Sequence, residues 1–156
     1  MSVNPIDCEV RDGKYDDAHD FYDKVPKPIH ILGVDGAGTV LAVGPEVKHS
    51  KPGDEIFYAC LPVRQGAASE RHLVHEGAAG HLPKTWDHVE AACLPVTAGT
   101  AYQALFERLE IRQDEQVGLL IINGAGDVGS MASQLARNML NLPVVISTAG
   151  RADTID

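Results

Sequence analysis

The sequence predicts a mixed α/β protein, in which a β-rich module is followed by the first βαβ unit of a nucleotide-binding sheet. Three observations carry this expectation. The stretch from His30 to Val47 alternates in strand fashion with glycine turns, and with further strands the region to about Leu82 reads as a β-rich module. The apolar run Val117, Leu119, Leu120, Ile121, Ile122 opens into Gly124, Gly126 and Gly129 at the spacing G-x-G-x-x-G. A helical apolar period and a further strand from Val144 to Thr148 come after it.

Taken in order, the first thirty residues read as polar and irregular. Asp12, Asp16, Asp17, Asp20 and Asp23 interleave with Lys14 and Lys24 without a helical or strand period, which suggests a solvated loop. A calcium loop would need oxygen ligands at fixed alternate positions around a glycine turn, and this run has neither. In HILGVDGAGTVLAVGPEV, Thr39, Leu41 and Val43 alternate with Val40, Ala42 and Gly44. Gly33, Gly36 and Gly38 do not form a phosphate loop, because their spacing differs and no helix follows. Lys51 to Asp54 turn into a strand from Glu55 to Ala59, and another strand is expected from Ser69 to His75.

From Pro83 the pattern becomes helical. Asp87 caps a helix carrying Val89, Ala92 and Cys93, and a longer helix is expected from Thr97 to Leu109. Glu110 to Gln116 is a polar connector. The domain boundary is placed there, giving residues 1–114 and 115–156.

The third part is the most informative, because residue order there dictates a chemistry. Its apolar strand resembles a parallel strand covered on both faces. Gly124 permits the turn off the strand, Gly126 lets a pyrophosphate approach the backbone, and Gly129 lets the helix lie close to the sheet. The helix N-terminus favours a phosphate. Val128 completes the loop. Asp127 can cap the helix, although its charge opposes a pyrophosphate. The second strand ends Ser147, Thr148, Ala149, Gly150, Arg151. Small residues leave room for a 2′-phosphate and Arg151 offers a guanidinium fork, so NADP(H) is expected rather than NAD. Asp153 is the competing acidic residue if the strand runs further, and Arg151 then becomes a solvated turn residue.

Composition limits the remaining possibilities. A net charge of -9 over 156 residues argues against nucleic-acid and anionic-membrane partners. No stretch reaches membrane-span length, and the N-terminus lacks the basic and apolar regions of a secretory signal. Cys8, Cys60 and Cys93 are odd in number and widely spread, which suggests reduced thiols and a cytoplasmic location.

Together these motifs resemble the medium-chain dehydrogenases and reductases, in the quinone oxidoreductase-like branch. The matching text is VNPID (3–7), GVDGAGTV (33–40), KPGDEIFYA (51–59), LPVTAGTAYQALFERL (94–109) and INGAGDVGSMASQLAR (122–137). TAGRADTID is similar to the stretch after the second nucleotide-domain strand in NADPH-dependent, zinc-type alcohol dehydrogenase-like members. The resemblance implies a GroES-like β domain with attached helices, followed by the start of a Rossmann domain. It also implies more sheet upstream and downstream than this chain carries, and hence exposed apolar edges and dependence on a partner chain. A homodimer is implied for the longer form.

True zinc alcohol dehydrogenases place Cys, His and Cys where this chain has Asn4, Val34 and Thr97, so no catalytic zinc is expected. His72 and His75, three apart along the expected strand, would turn to opposite faces. The implied reaction is hydride transfer from NADPH to a quinone or to the activated double bond of an enone. Asn4 is a candidate to hydrogen-bond the acceptor carbonyl, or only a loop brace. Tyr58 is a candidate to orient the acceptor or donate a proton, or a packed strand aromatic. Thr97 is a candidate nicotinamide contact, or a helix cap. The alternative is a catalytically inactive nucleotide-binding or structural homologue. A chaperonin-like assembly module has only the fold of the β domain behind it.

Overall fold

The computed structural model describes residues 1–15 and 20–150. The chain divides into two compact units, Met1–Val96 and Thr97–Asp156.

The first unit opens on helices where an irregular loop was expected. These are α1 (Pro5–Arg11) and α2 (Phe21–Lys24). The cause of α1 is local rather than periodic. Asn4 lies in extended backbone ahead of it, Pro5 brings its fixed φ to the first helical position, and the Asp7 carboxylate accepts the Asn4 backbone N–H at 2.9 Å. Val10 is then buried at its end, and Phe21 is buried between Tyr15 and Tyr22 with ring centroids 4.7 and 4.9 Å away.

The sheet of this unit is antiparallel in the order β1 (Asp35–Thr39), β2 (Glu55–Ala59), β3 (Ala79–His81). β1 begins earlier than the alternation suggests and ends at Thr39, leaving Leu41 and Val43 exposed. No strand forms from Ser69 to His75, which corrects that expectation. Ala79–His81 takes the β2 edge instead, and the earlier segment closes on itself, the Ser69 hydroxyl donating to the Arg71 carbonyl at 2.9 Å. The expected Asp87 cap is present on α3 (His88–Ala92). Its carboxylate accepts from the Val89 and Glu90 amides, both at 2.8 Å, and Glu90 accepts the Asp87 N–H at 3.1 Å.

α4 (Pro95–Tyr102) runs across the division between Val96 and Thr97 and continues into a π-helical turn from Gln103 to Arg108. Ala101 and Leu105 of this stretch pack with Ala132, Ala136, Leu140 and Leu142 in one core. The units therefore divide before Thr97, ahead of the polar connector where the sequence places the boundary.

Beyond the connector come β4 (Gly118–Ile121), α5 (Asp127–Asn138) and β5 (Val144–Ser147), with β4 and β5 parallel. This is the expected βαβ unit. Leu119, Ile121 and Val145 pack on the core, while Leu120, Ile122, Val144 and Ile146 are exposed. Only one face of this two-strand ribbon is covered, whereas the continuous apolar run suggests two. Leu140 is 1% exposed at the centre of the core. Leu140→Ala is expected to lower the stability of this unit by about 2–5 kcal/mol, read by urea unfolding. Among the described residues no helix is long and apolar enough to cross a membrane.

Candidate functional site

The turn between β4 and α5 brings six of the sequence-expected cofactor residues together: Gly124, Gly126, Asp127, Val128, Gly129 and Thr148. Asn123 holds the turn in the left-handed region at φ 59°. Thr148 latches it, its hydroxyl accepting the Asn123 N–H at 3.0 Å and its carbonyl accepting the Gly124 N–H at 2.8 Å. A Cβ on Gly124 would sit 2.4 Å from Ser147 Cβ. On Gly129 it would stand 2.5 Å from the Asn123 carbonyl oxygen and 2.5 Å from Gly124 Cα. These two glycines therefore serve the packing of the turn on β5 and on α5.

Gly126 differs from both. It is the N-cap of α5, and its nearest neighbour for an added Cβ is the side-chain amide nitrogen of Asn123 at 3.1 Å. Among the described residues no side chain caps the helix. The first-turn amides are thus open at the positive end of the dipole, with no Cβ over Gly126. This arrangement fits the pyrophosphate of a dinucleotide. Asp127 and Val128 are exposed in that first turn, and the Asp127 charge opposes an incoming phosphate. Arg151 lies outside the described residues. Thr97 is buried within α4 rather than at its cap.

The expected catalytic residues lie in the first unit and are not brought together. Gly36 pairs with Tyr58 across β1 and β2, and a Cβ on Gly36 would fall 2.6 Å from the Tyr58 hydroxyl oxygen. The Tyr58 ring therefore covers the Gly36 face of the sheet. Asp35, one residue earlier, points to the opposite face, and it is there that Asn4 is held. The Asn4 side-chain N–H groups donate to Asp35 Oδ2 at 2.9 Å and to Ser2 Oγ at 3.3 Å. Both amide hydrogens are committed.

Asp35 is the residue that sequence reasoning missed. It is wholly buried and also accepts the Ser2 hydroxyl at 3.2 Å and the Val96 N–H at 2.7 Å. Burial raises its pKa and the Asp7 charge adds to this, against the opposing hydrogen bonds from Asn4, Val96 and Ser2. A single carboxylate inside the apolar, glycine-rich run GVDGAG was the available signal. Burial likewise raises the Tyr58 pKa, so its hydroxyl stays protonated over the ordinary pH range.

Comparison with known proteins agrees with this architecture. Residues 1–100 match the family described as the alcohol dehydrogenase GroES-like domain. A zinc-type alcohol dehydrogenase-like protein of Staphylococcus aureus is 41% identical over 160 residues, an alignment covering 100% of this chain and 44% of that protein. An alcohol dehydrogenase superfamily protein from Novosphingobium aromaticivorans superposes with a TM-score of 0.82 at 31% identity, over 97% of this chain and 43% of that one. The Escherichia coli quinone oxidoreductase complexed with NADPH gives a TM-score of 0.71 at 34% identity, over 99% of this chain and 43% of that one. The chain spans less than half the length of these relatives. With the family match over its first hundred residues and the βαβ glycine turn that follows, the chain belongs to the alcohol dehydrogenase GroES-like domain family, within the medium-chain dehydrogenases and reductases.

Proposed function

We propose that this chain serves an NADPH-dependent oxidoreductase that passes hydride to a quinone or enone-type carbonyl acceptor. The observation that carries the reading is the uncapped N-terminus of α5 behind Gly126. The similar quinone oxidoreductase complexed with NADPH supports the choice of cofactor. When bound, the nicotinamide supplies the hydride chemistry. The first-turn amides hold the pyrophosphate, and Gly124, Gly129 and Thr148 keep the turn in place. Arg151, from the sequence alone, takes the 2′-phosphate.

No step runs through zinc. At the positions where the zinc enzymes have Cys, His and Cys, this chain offers an amide, a valine and a hydroxyl, and valine has no donor atom. Asn4 has given both amide hydrogens to Asp35 and Ser2, so it supports its loop rather than donating to an acceptor carbonyl. That commitment, with Tyr58 buried on the other face, favours a second reading, a nucleotide-binding homologue without turnover.

Loss of NADPH absorbance on adding a simple quinone separates the two readings. The oxidoreductase reading expects quinone-dependent oxidation with NADPH preferred over NADH. Arg151→Ala is expected to erase that preference by roughly 10–100-fold, the worth of one charge-assisted hydrogen bond of about 1.5–3 kcal/mol. Saturable NADPH binding without oxidation would establish the inactive homologue instead.

A further inference from the structure

The face of the first-unit sheet opposite Asp35 carries a second chemical grouping that the proposed reaction does not use. Tyr58 and Cys60 are two residues apart on one strand line, which puts them on the same face, and the Cys60 N–H continues the ladder to the Val34 carbonyl at 2.6 Å. His72 lies against both. Its Nε2 stands 2.7 Å from the Gln65 carbonyl oxygen, an acceptor only, so in the neutral ring Nε2 carries the proton. The lone pair is then on Nδ1. That atom is 3.4 Å from the Tyr58 hydroxyl oxygen and 3.8 Å from Cys60 Sγ, so a phenol and a thiol both donate toward one imidazole nitrogen.

The pair faces open space. A cavity of about 460 Å³ is lined by Cys60 and His72, with Leu61, Leu73 and Val74 as apolar wall and Arg64 as a cation. Cys60 is half-buried, while Cys8 and Cys93 are exposed and all three are free. Burial, followed by the charges of Asp35 and Asp7, pushes the Cys60 thiol up to about 11. Alone, this thiol would be inert at neutral pH. A neighbouring base with its lone pair on the sulfur side changes that.

We propose that this cavity is a covalent capture site for small α,β-unsaturated carbonyl compounds, with Cys60 Sγ as nucleophile and His72 Nδ1 as the base. The thiol proton moves to Nδ1 as sulfur bonds to the β-carbon, and the double-bond electrons pass to the α-carbon and carbonyl oxygen as an enolate. The proton then returns from His72 to the α-carbon. The sum is addition of S–H across C=C, with no oxidant or reductant. Arg64, an exposed residue of the cavity lining, supplies a positive charge that favours the enolate's negative one. The site is built entirely from residues of the first unit and does not depend on the proposed hydride transfer.

The test is timed labelling of the full chain with limiting N-ethylmaleimide, followed by proteolysis and mass spectrometry at each cysteine. In the wild type, the profile of Cys60 labelling against pH is expected to show reaction already at neutral pH, well below the range in which the buried thiol ionises unaided. The groups around the sulfur that shape this profile are His72, Tyr58, Asp35, Asp7, and Arg64 and His75 on the cavity wall. In His72→Phe, neutral-pH labelling of Cys60 is expected to fall at least roughly tenfold, to climb with pH toward the unassisted thiol, and to leave Cys8 and Cys93 unchanged. Equal Cys60 rates in variant and wild type would overturn the proposal. So would a wild type in which Cys60 labels only as pH nears the range of the unassisted thiol, or a Cys60 left unlabelled while the other two cysteines react. If His72→Phe does not fold, the wild-type profile decides alone.

Discussion

Gly129→Ala is expected to destabilise the second unit by about 3 kcal/mol, although alanine is the better helix former. Helix propensity favours the substitution by about 1 kcal/mol. Against it, the new Cβ meets the Asn123 carbonyl oxygen and Gly124 Cα, both at 2.5 Å. These are backbone atoms fixed by the Thr148 latch, so neither can swing aside. The clash outweighs the propensity. Gly126→Ala is the control, since its Cβ meets the Asn123 side-chain amide nitrogen at 3.1 Å and the Asn123 carbonyl oxygen no closer than 3.4 Å, an ordinary contact. Its cost to stability should stay within about 1 kcal/mol. Urea unfolding of the two variants beside wild type checks the contrast, and equal losses would mean that the two glycines do not have separate roles.

Asp35→Ala is expected to cost the first unit about 3 kcal/mol. The substitution strands the Val96 N–H and the donors of Asn4 and Ser2, and each buried donor left unpaired costs about 1–3 kcal/mol. Part of this is offset by removing a carboxylate that burial disfavours in its charged form. The same raised pKa sets a pH dependence. The folded protein holds the Asp35 proton more tightly than the unfolded chain, whose carboxyl titrates near 3.9. Asp35 therefore contributes most to stability below that value, and its contribution falls as pH rises through the higher folded value. Thermal unfolding of wild type and Asp35→Asn, compared at acid and neutral pH, should show the difference moving toward the variant as pH rises. A difference that moves toward wild type would mean that the hydrogen bonds, not burial, govern this carboxylate.

The features legible in the sequence were those with a local cause. The glycine spacing gave β4, α5 and β5 because turn, helix start and close packing are all written within some thirty residues. Asp87 announced α3 in the same way. α1 carried an equally local signal in Asn4, Pro5 and Asp7, but hydrophobic period alone does not read it. What stayed hidden depended on distant partners. Whether Ser69 to His75 forms a strand is decided by which segment takes the β2 edge, and Ala79–His81 takes it. Asp35 acquires its meaning from Ser2 and Asn4 at one end of the unit and Val96 at the other. The committed amide of Asn4 and the placement of Tyr58 on the opposite face likewise follow from strand register, which residue type does not reveal.

The central claim is that the turn behind Gly126 receives a dinucleotide. The most direct test is a titration of the folded chain with NADPH, followed by cofactor fluorescence, on wild type and on Gly126→Ala. The account predicts saturable binding by the wild type and a loss of about tenfold, or 1.4 kcal/mol, in a variant whose unfolding is almost unchanged. A folded wild-type chain that shows no saturable change with NADPH or with NADH would contradict it.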